Sequence, residues 1–156
     1  MIKIDIIGRK KIEIDAIICD FNGTIANNGE VDQGIKNILN KLSRDVEIYV
    51  LTADTYGNVR KKLADYPVII KVFNGKSALE SKKEIVEEIG PSRCICIGNG
   101  FNDFGMLNIA EVSIVIMGKE GFYLPLLSVA DIGFKSSIDA LEAIYNVKPI
   151  VATLRG

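Results

Sequence analysis

The sequence predicts an α/β protein: a three-layer α/β/α sandwich in which a mainly parallel sheet is covered by helices on both faces. Three observations lead there. The runs "VEIYVLTAD", "RCICIG" and "VSIVIMG" are nearly continuous in apolar residues, the pattern of strands buried on both faces. Between such runs lie longer stretches in which apolar residues recur every three or four positions, as in amphipathic helices. Strand and helix alternate almost throughout, and two parallel neighbours need a helical crossover between them. The chain has 156 residues, 48% hydrophobic and 25% charged, enough to bury one core. No linker, low-complexity run or internal repeat interrupts it, so residues 1–156 are expected to form a single domain.

In chain order, "IKIDII" and "KIEIDAIICD" read as strands, the first pair forming an N-terminal hairpin closed through Gly8–Lys10, because apolar residues recur with period two. The hairpin is expected to extend an edge of the sheet, with Arg9, Lys10 and Lys11 in a solvated turn. "VDQGIKNILNKLSR" places Ile35, Ile38, Leu39 and Leu42 on one helical face. "VEIYVLTAD" is a strand, followed by a helix from about Thr55 to Ala64. "PVIIKVF" is a strand and "KSALESKKEIVEEIG" a helix stopped at Gly90-Pro91. "RCICIGNG", "VSIVIMG" and "ADIGF" supply further strands, with helices near 102–110, 121–129 and 136–145. The tail "KPIVATLRG" is grouped with the hairpin as part of the edge extension and carries no assigned chemistry.

Composition excludes several classes of function. The formal net charge is −1 and Lys and Arg are scattered, which leaves no footprint for nucleic acid and no basic stretch for a membrane surface. No apolar segment approaches the roughly 20 residues that span a bilayer. The start of the chain alternates polar and apolar residues rather than forming a signal-peptide core, so a cytoplasmic protein is expected. Cys19, Cys94 and Cys96 sit inside apolar runs and read as small core hydrophobes; the odd count argues against disulfides, and no histidine exists to complete a zinc site. Without an imidazole, acid–base or nucleophilic work falls to carboxylates, Lys, Tyr or a metal-bound water.

Ligands of parallel sheets bind beyond the carboxyl ends of the strands, so the polar residues that end the apolar runs are the candidates. They are Asp20, then Thr52 and Asp54, then Asn99, Asn102 and Asp103, with Gly23, Gly98 and Gly100 expected to let the backbone turn sharply. Asp20 and Asp103 are placed to converge on one cation. Blander motifs compete. Asn22-Gly23 is a type I′ hairpin signal, but "TIANNGEV" offers no alternating return strand. "FNGKS" has the tail of a P-loop, yet Ile70 stands where that motif needs glycine. "GNGFND" begins as a dinucleotide fingerprint, but Asp103 occupies the third glycine position.

Four stretches in order, "DFNGT" (20–24), "LTAD" (51–54), a lysine within "SKKEIVEEIG" and "GNGFND" (98–103), resemble the motifs of the haloacid dehalogenase (HAD) superfamily of phosphoryl-transfer enzymes, over most of the chain. More narrowly, "TAD" and "KKEIVEEI…GNGFND" resemble the phosphorylation domain of P-type ATPases, and together with "VATLR" the ensemble is similar to the soluble P-type-ATPase-like group. The resemblance implies a Rossmann-like HAD core and a Mg²⁺-dependent phosphatase. Asp20 would be the nucleophile that forms an aspartyl-phosphate, with Asn22, Thr52 and Lys82 as its catalytic companions. Phosphate contacts would come from Thr52, Ala53, Lys82 and Asn102, and the metal site from Asp20, Asn22 through its backbone carbonyl, Asn99 and Asp103. Lys83 and Lys76 compete with Lys82 for the role of the lysine that neutralises nucleophile and phosphate.

Two residues depart from the usual phosphatase pattern. Asn22 stands where such enzymes carry the Asp that protonates the leaving oxygen, and an amide cannot shuttle a proton. Asn99 stands on the position of a metal-binding Asp, exchanging a charge for a dipole. In addition, 27 residues separate Thr24 from Thr52, room for a loop and one helix, so the core is capless. In related proteins an open cleft goes with macromolecular substrates or with a neighbouring subunit as lid. The partners expected are therefore a phosphorylated small molecule or phosphoprotein, with homo-oligomerisation as a further possibility. Two functions stay open: a slow phosphatase working through Asp20, and a non-hydrolytic protein of the same fold that binds a phosphorylated ligand or partner.

Overall fold

In the computed structural model, which describes residues 1–54, 56–74 and 77–156, the run "KIEIDAIICD" divides at Asp15 instead of continuing as one strand. Before the break, β1 (Ile2–Asp5) and β2 (Lys11–Ile14) pair antiparallel as a separate two-stranded sheet. After it, β3 (Ala16–Asp20) enters the main sheet. Asp15 makes the hand-over: its N–H donates to the Arg93 carbonyl (2.9 Å) and its carbonyl accepts from Glu47 N–H (3.0 Å).

The main sheet also contains β4 (Glu47–Thr52), β5 (Ile69–Val72), β6 (Cys94–Gly98), β7 (Val112–Ile116) and β8 (Ile132–Phe134), all parallel, in the order β5-β4-β3-β6-β7-β8. The expected edge extension is thereby corrected. β3 is central, flanked by β4 and β6, so the hairpin that leads into it reaches no free edge. It buries Ile4, Ile12 and Ile14 against one face of the sheet instead. Its turn is tied rather than merely solvated: Arg9 donates to the Leu154 carbonyl (3.3 Å), Lys10 pairs with Glu111, and Gly156 N–H donates to Ile7 (3.3 Å).

The crossovers are α1 (Gln33–Leu42), α2 (Asn58–Lys62), α3 (Ala78–Ile89) and α4 (Phe104–Ile109), followed after β8 by α5 (Ser137–Asn146) and α6 (Lys148–Leu154). Asp32, Ser77 and Ser136 cap α1, α3 and α5 through their side chains, accepting from Gly34, Glu80 and Asp139 N–H. All four residues of the predicted α1 face are buried. Thr55, proposed as a helix start, lies outside the described residues. The tail is the helix α6, anchored by buried Ile150, and not a sheet extension. The helix expected at 121–129 is only a 3₁₀ turn, Leu124–Ser128. Pro125 fits a first turn alone, and Leu126 is its single buried residue, too little to hold a longer helix.

Strand parity divides the core into two layers. Ile17, Cys19, Ile48, Val50, Ile95 and Ile97 belong to the cluster that also holds the buried residues of α1, α5 and the hairpin. Ala16, Ile18, Tyr49, Leu51, Cys94 and Cys96 belong to the other, with Val86 of α3 and Met106 of α4. Cys94 and Cys96 thus point one way and Cys19 the other, and all three are free thiols in the core. Burial pushes each of these thiols up, away from the reactive thiolate. Among the described residues no helix is long and apolar enough to cross a membrane.

Candidate active site

Asp20 ends β3 with the parity of Ala16 and Ile18, so its side chain leaves the sheet on the α3–α4 side. On α3, Lys82 and Val86 form the buried face, four residues apart. Val86 packs among Cys94 and Cys96, which carries Lys82 to the carboxyl end of the sheet. Its side chain is 1% exposed, and Nζ donates to Asp20 Oδ1 (2.6 Å), Asp103 Oδ1 (2.7 Å) and Asn102 Oδ1 (3.2 Å). The cation on which the two carboxylates meet is this ammonium. Phe73, at the end of the β5 run, lies under it with its ring centroid 5.8 Å from Nζ.

Asp103 is fully engaged. Oδ1 accepts from Lys82, and Oδ2 accepts from the N–H groups of Asn99 and Gly100, both at 2.9 Å. This closed loop explains Gly98. A Cβ built there would stand 2.5 Å from Asp103 Cγ, so glycine is required for space and not for the sharp turn expected. Gly100 is likewise extended, with φ −108° and ψ 170°. Gly23 is different: φ is +75°, and a Cβ would also meet Asn99 Nδ2 at 2.4 Å. Gly98→Ala should therefore cost about 1–3 kcal/mol by overpacking, and by displacing Asp103 it should loosen Lys82. A thermal melt at unchanged Tm would contradict this.

Two carboxylates around one buried ammonium leave the cluster one negative charge in excess. Burial, reinforced by the Asp103 carboxylate, pushes Asp20 from 3.8 up to about 7, against the opposing pull of Lys82. Burial would lower Lys82, but the Asp103 and Asp20 carboxylates outweigh it and hold it above its ordinary value. Because the folded state keeps a proton on Asp20 that the unfolded chain gives up, stability should fall as pH rises from 3.8 to about 7. In EDTA, Asp20→Asn should flatten that slope and stabilise the protein at pH 8 by on the order of 1–3 kcal/mol, read from denaturant melts.

The remaining candidates surround this cluster. A cleft of about 320 Å³ is lined by Asp20, Asn22, Thr52, Ala53, Lys82, Asn99 and Asn102, with Phe73 on its wall. Thr52 Oγ1 accepts from Asp54 N–H (3.1 Å), leaving its hydroxyl proton to donate elsewhere. Ala53 N–H donates to no acceptor among the described residues. Asn99 is held by its Nδ2 on the Gly121 carbonyl (3.2 Å), which turns Oδ1 toward Thr24 Oγ1 (3.5 Å). Asp54 faces away, both oxygens accepting from Val59 and Arg60 at the start of α2. Lys83 lies on the solvent side and pairs with Glu87 (3.5 Å); Lys76 lies outside the described residues.

Asn22-Gly23 is not a hairpin turn between strands. Gly23 N–H donates to Ala26 (2.8 Å) and Ala26 N–H to Phe21 (2.9 Å), coiling the chain directly after Asp20. The two-residue hairpin comes later, where Asn27 and Glu30 exchange hydrogen bonds around Asn28 (φ 50°) and Gly29 (φ 76°), a type I′ arrangement. Sequence reading missed Phe73 and the Gly121 carbonyl. The position of Phe73 at the end of an apolar run was a usable signal; nothing local marked Gly121.

No protein-family model matches the sequence. Two proteins of Methanocaldococcus jannaschii do: uncharacterized protein MJ0073, 34% identical over 77 residues (49% of this chain, 83% of that protein), and uncharacterized protein MJ0072, 49% identical over 39 residues (25% and 89%). Among solved structures, the 3-deoxy-D-manno-octulosonate 8-phosphate phosphatase of Moraxella catarrhalis, in complex with magnesium, phosphate and KDO, is similar over 91% of this chain and 94% of its own. Its TM-score is 0.71 at 14% identity. The cobalt-bound deoxy-D-mannose-octulosonate 8-phosphate phosphatase of Haemophilus influenzae gives 0.70 at 13% identity, covering 92% and 94%. The chain thus has the HAD fold, and it belongs to the family of the Methanocaldococcus jannaschii proteins MJ0073 and MJ0072.

Proposed function

We propose that the protein is a Mg²⁺-dependent phosphatase working through an aspartyl-phosphate on Asp20. The observation that carries this reading is the buried ammonium of Lys82, 2.6 Å from Asp20, at the floor of a cleft ringed by Thr52, Ala53 and Asn102. The four ordered stretches that resemble HAD motifs and the Mg²⁺- and phosphate-bound fold relative from Moraxella catarrhalis support it.

An Asp20 carboxylate oxygen attacks phosphorus while the bond to the leaving oxygen breaks, that oxygen departing with the electron pair. Lys82, the Thr52 hydroxyl, the Ala53 N–H and the Asn102 amide are arranged to carry the charge of the phosphoryl oxygens. Water then cleaves the aspartyl-phosphate, restoring Asp20 and releasing inorganic phosphate.

The donors available to a cation are all oxygen: the Asp20 carboxylate, the Asn99 amide oxygen and the Asn22 carbonyl, which accepts no hydrogen bond among the described residues. That set, with the cluster's surplus negative charge, fits Mg²⁺. Asp103, whose oxygens are both occupied, is assigned to fixing Lys82 instead. Bound Mg²⁺ supplies charge neutralisation for nucleophile and phosphate. With one full carboxylate in the set, its affinity should be modest. No group of three His, Cys, Asp or Glu placed to hold a metal occurs among the described residues.

Intact-protein mass spectrometry after incubation with Mg²⁺ and acetyl phosphate tests the reading. Wild type should gain a phosphate adduct or release inorganic phosphate, and Asp20→Ala should do neither. A stable adduct without release favours the second reading, a phosphorylated switch or ligand-binding protein, which Asn22 alone recommends. Neither adduct nor release from wild type would overturn the phosphatase.

A further inference from the structure

The phosphate cleft adjoins a larger cavity of about 620 Å³, with which it shares Asn22, Thr52 and Ala53. Its other walls are Phe21, Tyr56, Asn58, Lys61 and Lys62, with Gly29 at the tip of the small hairpin. The volume suits the body of a small metabolite and exceeds what a phosphoryl group needs.

The charges on its wall are one-sided. Among the described residues Asp54 is the single carboxylate lining it, and its two oxygens are taken by Val59 N–H (2.9 Å) and Arg60 N–H (3.2 Å). Lys62 is held by the Gly29 carbonyl and by Glu30 (3.1 Å). Lys61 takes part in no ion pair among the described residues. A polyol would find few acceptors here. An anion would find an ammonium without a competing carboxylate.

The geometry points to this cavity as the seat of the leaving group of a small phosphorylated molecule that carries a second anionic group, with Lys61 as its counter-charge. This rests on the phosphatase reading and narrows its substrate class. Buried Phe21 and exposed Tyr56 give the carbon skeleton apolar surface on the way.

The test uses two compounds that differ in one group: 3-phosphoglycerate, with a carboxylate, and glycerol 3-phosphate, with a hydroxymethyl in its place. Each is titrated as an inhibitor of Mg²⁺-dependent acetyl phosphate turnover by the full chain. 3-Phosphoglycerate should bind more tightly by about fivefold, the upper end for an ion pair open to solvent. Lys61→Gln, a change at an exposed position, should bring the ratio of the two inhibition constants close to one without moving that of glycerol 3-phosphate. Equal constants in wild type, or a preference that survives in Lys61→Gln, would overturn the inference while leaving the phosphatase intact. If acetyl phosphate is not turned over at all, the phosphatase reading falls and takes this inference with it.

Discussion

Lys82→Met should both unfold the protein readily and silence it. The substitution keeps the length of the side chain and deletes the charge, leaving Asp20 and Asp103 facing each other in a site where Asp103 is wholly buried and Asp20 8% exposed. Removing one partner of a buried ionic cluster costs about 3–5 kcal/mol, because an uncompensated charge stays behind. A domain of this size has roughly 5–15 kcal/mol in all, so the loss is a large share. Asp20, already pushed up by burial and by the Asp103 carboxylate, will hold its proton more tightly still once the opposing pull of Lys82 is gone. The variant should therefore be more stable at pH 5 than at pH 8, since a raised carboxylate value gives stability that is lost as pH rises. Adding Asp20→Asn to Lys82→Met removes one of the two charges and should restore much of the stability but none of the phosphate release. Denaturant melts at the two pH values, with phosphate counted in parallel, check this; a Lys82→Met protein that melts like wild type at pH 8 would sink it.

The fold was legible because its signals are local and periodic. Apolar runs alternating with amphipathic stretches marked the strands of the parallel sheet and Asp20 as the end of one of them; that Asp20 leaves the sheet on the α3 side follows from the strand parity seen in the folded core. Where the reading failed, the cause was tertiary. Nothing in "KIEIDAIICD" shows that Asp15 must leave one sheet for another, because the break is set by hydrogen bonds to Arg93 and Glu47, far off in the chain. The 3₁₀ turn at Leu124–Ser128 carried enough apolar residues to read as a helix, but Leu127 and Leu124 turn to solvent. At the site, residue types at strand ends picked out Asp20, Thr52, Asn99 and Asp103, which the structure does gather around one cleft or its floor. Their division of labour was not readable. Whether Asp103 serves a metal or an ammonium depends on hydrogen bonds from Asn99 and Gly100, and the need for Gly98 depends on where that carboxylate folds back.

Asn22→Asp should produce the largest gain in rate available to a single substitution here. Asn22 is exposed, lines both the phosphate cleft and the adjoining cavity, and sits in a coil held by backbone bonds from Gly23 and Ala26, which a change of amide to carboxyl leaves alone. Placed between phosphoryl group and leaving group, a carboxylic acid there supplies the proton that an alkoxide needs as it departs, and the resulting carboxylate then draws a proton from the water that attacks the aspartyl-phosphate. General acid–base help of this kind is worth about 10²–10⁴-fold. The gain should depend on the leaving group. Phosphate monoesters of aliphatic alcohols should approach the upper end, whereas acetyl phosphate, whose leaving carboxylate needs no proton, should gain only through faster hydrolysis of the intermediate. In the intact mass spectrum the adduct on Asp20 should correspondingly shorten in lifetime. The discriminating quantity is the ratio of kcat/KM for an alkyl phosphate over that for acetyl phosphate, which rises if residue 22 acts on the leaving group. An unchanged ratio would deny position 22 a role on the leaving group, and an adduct lifetime that also stays the same would deny it any part in hydrolysis of the aspartyl-phosphate.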